Sequence, residues 1–420
     1  MLEALRVRDF RLLWSARLTS NLGSWLMVVA VPAYVFQISG SLVAVGLSMV
    51  AQYLPSLFLS PIAGVIADRW KRKQIMVSMD LFRTVALILL FFVHSHGTVW
   101  LLYSSMAMES VGAVFFRPAS QSLTPLVVGR GTALSSAASL NAFTDAVVRL
   151  AGAPLGAALM VLSSFDLLVV LDMASYLASA LFIARVHGRY AWPERAEASA
   201  RGALAQMAAG LTSVRRSPVA LALLPVSVLF LTANASLSAL LVPFGVTYWG
   251  GERQVGLIVS ALGVGFMAGA PLMRRLLDRV QPRSLLAGAL VIVALGYFGL
   301  FHSHAVLPAL GAAVVIGAAG SQALAVPQVV LQRVIPSDFL GRVSAAFFTG
   351  EALATLVGSL SGPALAQTSG YRLALDVACA VTALTAVLDY FLVPVTNMAD
   401  GSEPHVEESA EADAVSSPHT

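Results

Sequence analysis

The sequence predicts an all-α polytopic membrane protein: twelve transmembrane helices arranged as two parallel six-helix repeats. Three observations carry that prediction. The 420 residues are 58% hydrophobic and only 11% charged, with a mean hydropathy of +0.80. Soluble domains carry about 25% charged residues, so a chain this long has too little charge to cover a water-exposed surface. Long stretches are free of charge altogether: residues 18–67 and 284–332 contain no Asp, Glu, Lys or Arg. Each holds two spans of about twenty residues joined by a tight hairpin. Finally, the chain repeats itself at an offset near 210.

Continuous apolar runs of this length favour helices over the short alternating strands of a membrane barrel. The spans are expected at 14–37, 42–66, 74–94, 98–117, 132–162, 167–186, 218–248, 255–273, 284–302, 305–330, 343–366 and 371–395. Turn residues punctuate them: Ser39-Gly40-Ser41, His96-Gly97, Ser163-Ser164, Gly250-Gly251 and Ser369-Gly370. The basic cluster Arg6, Arg8, Arg11 and Arg17 leads into an apolar stretch too long for a cleavable signal core.

Basic residues test the count of spans. Of the 26 Lys+Arg, all but Arg83, Arg149, Arg253 and Arg372 fall in the N-terminus or in the even-numbered connections. By the positive-inside rule, both termini then face the cytoplasm. An error of one helix would scramble this bias. The only lysines are Lys71 and Lys73; that arginine preference suits a GC-rich bacterial genome, and the expected location is the bacterial cell inner membrane.

The domains follow from the same pass. A six-helix bundle is expected over 1–186, a cytoplasmic linker over 187–217, a second bundle over 218–395 and an acidic, disordered cytoplasmic tail over 396–420. Leu204, Met207, Ala208 and Leu211 recur at helical spacing within the linker, which also suits a surface helix. The tail has six acids and no Lys or Arg after Asn397.

The repeat rests on a series of matches. Asp68-Arg69 recurs as Asp278-Arg279, His94-Ser95-His96 as His302-Ser303-His304, Pro118 as Pro327, Pro125 as Pro336, Gly129-Arg130 as Gly341-Arg342, and Pro154 as Pro363. Both copies hold an even number of spans, so they share one orientation. This is the parallel-repeat plan of a transporter whose site lies between its halves.

The second connection reads Gly64-Val-Ile-Ala-Asp68-Arg69-Trp-Lys-Arg72-Lys73. It resembles the cytoplasmic signature of the major facilitator superfamily. Asp80-Leu-Phe-Arg83, Phe116-Arg117-Pro118-Ala119 and Gly152-Ala-Pro154-Leu-Gly156 are similar to features of its drug:proton antiporter branch, which includes siderophore and macrolide exporters. The second copy departs from the signature, with Arg274 in place of Gly64 and Pro282 in place of Arg72. The resemblance implies the major facilitator fold, transport by alternating access, and a conformational latch of Gly64, Asp68, Arg69 and Arg72 with Asp278 and Arg279 in the second copy. In it, Asp68 would face the N-terminus of helix 11, where a helix dipole favours negative charge. A purely topogenic role for the basic cluster is the alternative.

Ionisable groups within spans cost roughly 2.5–3.5 kcal/mol each on insertion scales and so call for a reason. Glu109 in helix 4 and Glu351 in helix 11 have no basic neighbour on their own helix faces. Burial disfavours the charged form of a carboxylate, which is what a proton carrier requires. Both are proton-coupling candidates; a structural partner, Arg149 for Glu109, is the alternative. Asp145 and Arg149, four apart, are expected to pair on one face of helix 5. Asp145 is a third coupling candidate if that pair opens. Asp80 and Arg83 read as a local pair near the cytoplasmic face. Asp172 and Asp376 have no clear role, and the His-Ser-His turns read as solvated.

Trp25, Tyr34, Phe36, Gln52, Tyr53, Phe230, Asn234 and Phe244 fall in spans that line the central cavity in the superfamily, or else pack against lipid and neighbouring helices. The expected partners are a small-molecule substrate, protons and the lipid bilayer, for a chain acting as a monomer. The single cysteine, Cys379, precludes an intrachain disulfide, and nothing calls for a cofactor, a resident metal or nucleic acid. The reading is proton-coupled efflux of a small amphipathic compound. An uptake permease or lysophospholipid flippase of the same fold is the alternative. A membrane-embedded enzyme is disfavoured, since no His-Glu-x-x-His, Walker loop or Gly-x-Ser-x-Gly occurs.

Overall fold

The computed structural model describes residues 3–129, 132–187, 214–215, 217–277, 279–303, 305–335 and 337–394. The linker expected over 187–217 lies almost wholly outside the described residues, and the tail over 396–420 does so entirely. Among the described residues there are twelve long helices: α1 (Arg8–Ser39), α2 (Leu42–Arg69), α3 (Arg72–Leu87), α4 (Val99–Val128), α5 (Thr132–Leu162), α6 (Phe165–Ala184), α7 (Pro218–Tyr248), α8 (Glu252–Leu277), α9 (Pro282–His302), α10 (Val306–Val334), α11 (Ser337–Ser369) and α12 (Tyr371–Leu392). Among the described residues, eleven stretches are long and apolar enough to cross a bilayer.

Local chemistry explains the joints. Gly40 takes a left-handed φ of 60° that closes α1, its N–H bonding the Phe36 carbonyl. Ser41, Ser164 and Ser217 each cap the following helix by accepting a backbone N–H. Lys73 donates to the Ala184 and Val186 carbonyls at 2.8 and 2.7 Å, placing its charge at the negative end of α6.

Two expected boundaries are corrected. Helix 4 does not stop at residue 117 but runs through Pro118 and Pro125 to Val128. Proline is tolerated inside membrane helices where neighbouring helices and hydroxyl side chains satisfy the backbone it frees; Ser122 and Thr124 both bond carbonyls within this turn. Helix 3 leaves α geometry at Leu87 and finishes as a 3₁₀ segment, Ile88–Phe92.

The two halves pack alike. In the first, α1 contacts α5 and α6, α4 contacts α2 and α3, and α3 contacts α6. Adding six to each label gives the main contacts of the second half: α7 with α11 and α12, α10 with α8 and α9, and α9 with α12. The principal contacts between halves, α2 with α11 and α5 with α8, also exchange under this operation. Six helices followed by six therefore form two copies of one bundle related by a pseudo-two-fold axis.

Both seams are built from the same two residue types. A Cβ on Gly46 would collide with the Ser359 carbonyl and lie 3.2 Å from Pro363 Cγ; one on Gly256 would lie 2.6 Å from Ala157 Cβ and 3.1 Å from Pro154 Cα. Gly46 and Gly256 are 210 apart, Pro154 and Pro363 are 209 apart. Each glycine of one half thus meets the proline region of the other, as close helix approach in a membrane requires. Small apolar residues, among them Ala153, Ala157 and Val255, fill the second seam. Polar bonds cross between halves at the same end: Gln37 Nε2 donates to Glu252 Oε1 at 2.8 Å, and Gln367 Oε1 accepts the Leu42 N–H at 2.9 Å. Twelve helices of alternating direction put the start of α1 and the end of α12 on one side, so these contacts close the opposite end of the bundle.

Candidate functional site

Between the halves lies a cavity of about 580 Å³. Helices α1, α2 and α4 wall it on one side and α7, α8, α9 and α10 on the other. Of the residues expected there, Trp25, Gln52, Tyr53, Phe230 and Asn234 line it, and so does Glu109. Tyr34 and Phe244 do not. Tyr34 donates to the Val93 carbonyl at 2.6 Å and stacks on Phe165 at 3.9 Å, inside the first bundle. Phe244 is buried in an aromatic cluster with Trp249, Phe301 and Tyr371, ring centroids 5.1–5.9 Å away. Phe36, by contrast, packs against the cores of both halves. All three lie beyond the cavity, toward the end where the seams close.

Glu109 joins the cavity to a charged cluster inside the first bundle. Tyr176 of α6 donates to Glu109 Oε1 at 2.5 Å, and Ser24 of α1 bonds the same phenol oxygen at 2.9 Å. Behind them stands Arg83 of α3, its guanidinium 5.2 Å from the Tyr176 ring and 4.8 Å from Phe116. Arg83 Nη1 is 3.6 Å from Asp80 Oδ1, so the expected Asp80–Arg83 pair is present, and it is fully buried. Ser179 donates to the other Asp80 oxygen at 2.6 Å. Asp172 lies on the same face of α6, one turn before Tyr176, and is fully buried. Ser175 bonds its Oδ1 at 3.2 Å, but Oδ2 has no partner among the described residues. Two glycines make room: a Cβ on Gly23 would collide with Ser175 and Asp172, and one on Gly112 would sit 2.6 Å from Arg83 Cγ.

The cluster therefore holds three carboxylates and one guanidinium. Buried charge is costly unless paired, and Arg83, nearest to Asp80 at 3.6 Å, is the one cation of the cluster among the described residues. Of the members, Asp172, Tyr176 and Ser24 escaped the reading from sequence. The signal available was an Asp and a Tyr four apart in an apolar span.

Asp145 has a partner that its own helix does not supply. Among the described residues it pairs with Arg17 of α1, whose Nε and Nη2 donate to the two carboxylate oxygens at 3.2 and 2.6 Å. Asn21 adds a third bond at 2.8 Å. The fork of an arginine matches a carboxylate bidentately, and the close packing of α1 on α5 brings it within reach. The Arg149 side chain lies outside the described residues. Glu351 accepts a bond from Gln328 Nε2 at 3.2 Å and does not line the cavity. Asp376 approaches His302 Nε2 at 3.6 Å.

The latch residues are only partly placed. Gly64, Asp68 and Arg69 are described as helical backbone alone, and Asp278 lies outside the described residues. Arg72 donates to the Ser122 carbonyl of α4 at 3.2 Å, and Arg279 is exposed just past α8. In the helix 5 motif, a Cβ on Gly152 would lie 2.5 Å from Trp25 Cβ, and one on Gly156 would collide with the Leu26 backbone. Gly152 and Gly156 thus seat α5 against α1, and Pro154 meets Gly256 at the seam.

Comparisons with known proteins agree with this architecture. A family model described as transmembrane secretion effector matches residues 1–416. An uncharacterised MFS-type transporter, YfiS of Bacillus subtilis, is 24% identical over 370 residues, covering 86% of this chain and 88% of that one. Macrolide efflux protein A of Streptococcus pyogenes is 23% identical over 346 residues, covering 80% and 83%. Among solved structures, the nucleoside transporter NupG superposes with a TM-score of 0.76 at 10% identity, over 92% of this chain and 100% of that one. A bacterial homologue of the iron transporter ferroportin, in its inward-facing state, gives 0.73 at 18% identity over 92% and 98%. These structural likenesses speak to the fold.

Proposed function

The chain belongs to the transmembrane secretion effector family of the major facilitator superfamily, and on that premise we propose that it drives efflux of a small amphipathic compound with protons. It is a multi-pass secondary transporter. Within the superfamily we place it in the drug:proton antiporter branch, beside relatives named as macrolide efflux proteins. The observation that carries the proposal is Glu109. It stands in the cavity wall and is bonded to Tyr176 of the buried cluster. A carboxylate there meets cargo on one side and a proton-sharing network on the other.

In this reading Glu109 is the coupling residue and Asp145 holds α1 to α5 through Arg17. Glu351 is a polar partner of α10. The Gly64–Lys73 connection is the latch of the state closed at its own end. It is supported by Arg72 and Lys73 tying α3 to α4 and α6. The termini face the cytoplasm of a bacterial inner membrane, as the clustering of basic residues favours. The seams then close the outer end, and the cavity exchanges with the cytoplasm.

The test is accumulation of a panel of dyes and antibiotics in cells with and without the protein, before and after a protonophore. Lower accumulation that the protonophore abolishes is the expected result. Higher accumulation in expressing cells would mean uptake, and no difference for any compound would remove the broad exporter reading.

A further inference from the structure

Away from the space between the halves, a groove of about 370 Å³ runs between α9 and α12 on the flank of the second bundle. Neither helix makes the principal contacts with the first half. Ser284, Gly288 and Val291 of α9 form one wall, and Ala386, Tyr390 and Phe391 of α12 form the other. A Cβ on Gly288 would meet nothing within 4 Å, so the place of its missing side chain is open. Val291, Tyr390 and Phe391 are 44%, 48% and 77% exposed. In a chain that spans a bilayer, apolar surface of this kind faces lipid.

The groove starts at the end of α9 where basic residues gather. Residues 274–283 hold Arg274, Arg275, Arg279 and Arg283 against one acid, Asp278. Arg279 is exposed. Arg283 immediately precedes Ser284 and lays its guanidinium over the Tyr390 ring, 4.7 Å from the centroid. It makes no hydrogen bond among the described residues, and its Nε is buried without a partner. Its repeat mate Lys73, 210 positions earlier, instead donates to the Ala184 and Val186 carbonyls at the end of α6. Asp389, the neighbour of Tyr390, is fully buried and does not line the groove, so it does not confront a ligand there. Arg283 therefore presents an unmatched cation beside an apolar channel.

We propose that this groove binds an anionic phospholipid, its phosphate on Arg283 and one acyl chain between α9 and α12. The leaflet is the one bordering the first turn of α9, cytoplasmic in the topology proposed above; the site itself does not depend on proton coupling. From Ser284 to Val291 the channel is about 10 Å long at 1.5 Å per residue, against about 15 Å for the hydrocarbon of one leaflet. Tyr390, under the Arg283 guanidinium, takes the headgroup level that amphipathic aromatic rings favour in membranes. Basic pockets between spans attract anionic headgroups. The acyl chain fills the space that Gly288 leaves open, which a soluble anion does not.

Binding is read by native mass spectrometry of the detergent-purified protein. The probes are dioleoyl-phosphatidylglycerol and dioleoyl-phosphatidylcholine, which share their chains and differ in net charge. The tightest site prefers the anionic lipid by at least about fivefold, the effect of one membrane-surface cation, and that lipid raises the melting temperature. Gly288→Leu fills the groove, weakens this site by about tenfold and removes the stabilisation. Arg283→Gln brings the two lipids to parity. Gly299→Leu, at another exposed and open position of α9, changes neither. Excess inorganic phosphate leaves the lipid bound. Equal affinity of the wild type for both lipids, or unaltered binding of the anionic lipid to Gly288→Leu, overturns the inference. Displacement by phosphate would assign Arg283 to a free anion, and a dimer that Gly288→Leu dissociates would assign the groove to a second copy; either result overturns it as well.

Discussion

The two halves share one scaffold and differ in chemistry. Their helix contacts correspond pair for pair, and the seams reuse one glycine and one proline from each copy. Yet the first half packs Asp80, Arg83, Asp172 and Tyr176 into its core behind Glu109. In the second half the positions 210 residues on from Asp172 and Tyr176 are Thr382 and Ala386. That half meets the cavity with the neutral pair Asn234 and Tyr297. Its own buried carboxylate, Asp389, lies on α12 away from the cavity. Duplication thus preserved what close packing requires and left the charged groups free to diverge. The account built on this difference is that coupling resides in one half and cargo is gripped between both.

The largest expected effect comes from removing that difference. Glu109→Gln lowers proton-driven transport by more than about tenfold, equivalent to a loss of about 1.4 kcal/mol of coupling, at unchanged membrane abundance. Transport at the wild-type level would show that the cluster is structural. Asp68→Asn comes next: transport drops while the protein still reaches the membrane, because topology does not require that carboxylate. Unchanged flux at equal expression counts against a latch.

The seams offer a sharper comparison, since their symmetry predicts equal effects. Gly46→Val and Gly256→Val each overpack one crossing and disfavour the closed outer end by about 1–3 kcal/mol. The readout is the yield of cross-linking by a short bis-maleimide between cysteines replacing Gln37 and Glu252, whose side-chain ends meet at 2.8 Å. A large loss in one variant and none in the other would break the symmetry argument. Smaller still is Arg17→Ala. Arg17 and Asp145 are about one-third exposed, so losing their pair costs about 1 kcal/mol or less, seen as a small fall in melting temperature.

Much of the fold was legible because a bilayer leaves few choices. Charge-free runs such as 18–67 admit little but paired helices, and the matched prolines and Asp-Arg pairs exposed the repeat. Proline was the misleading signal in α4, where a membrane helix continued through Pro118. The site was legible where physics makes a residue conspicuous by itself. Glu109 stood out because an acid in a span is expensive. Asp145 also stood out, but its contact with Arg17, 128 positions earlier, is made across two helices and has no signal in local spacing. Asp172 and Tyr176 act with Glu109 only because α4, α6 and α1 converge. Tyr34 and Phe244 fell on the right helices but above the cavity, since a span identifies the helix and not the depth. Gly46 and Gly256 acquire meaning only as a pair, once the repeat and its crossings are known.

The most direct test of one-sided coupling is proton movement itself. Purified protein in liposomes containing a pH-sensitive dye is given a compound that the accumulation panel shows to be exported, under a pH gradient, comparing wild type, Glu109→Gln and Glu351→Gln. The account predicts cargo-dependent proton flux in wild type and in Glu351→Gln, within about twofold of each other, and none in Glu109→Gln. Wild-type flux in Glu109→Gln, or its loss in Glu351→Gln alone, would place the coupling in the other half and contradict the account.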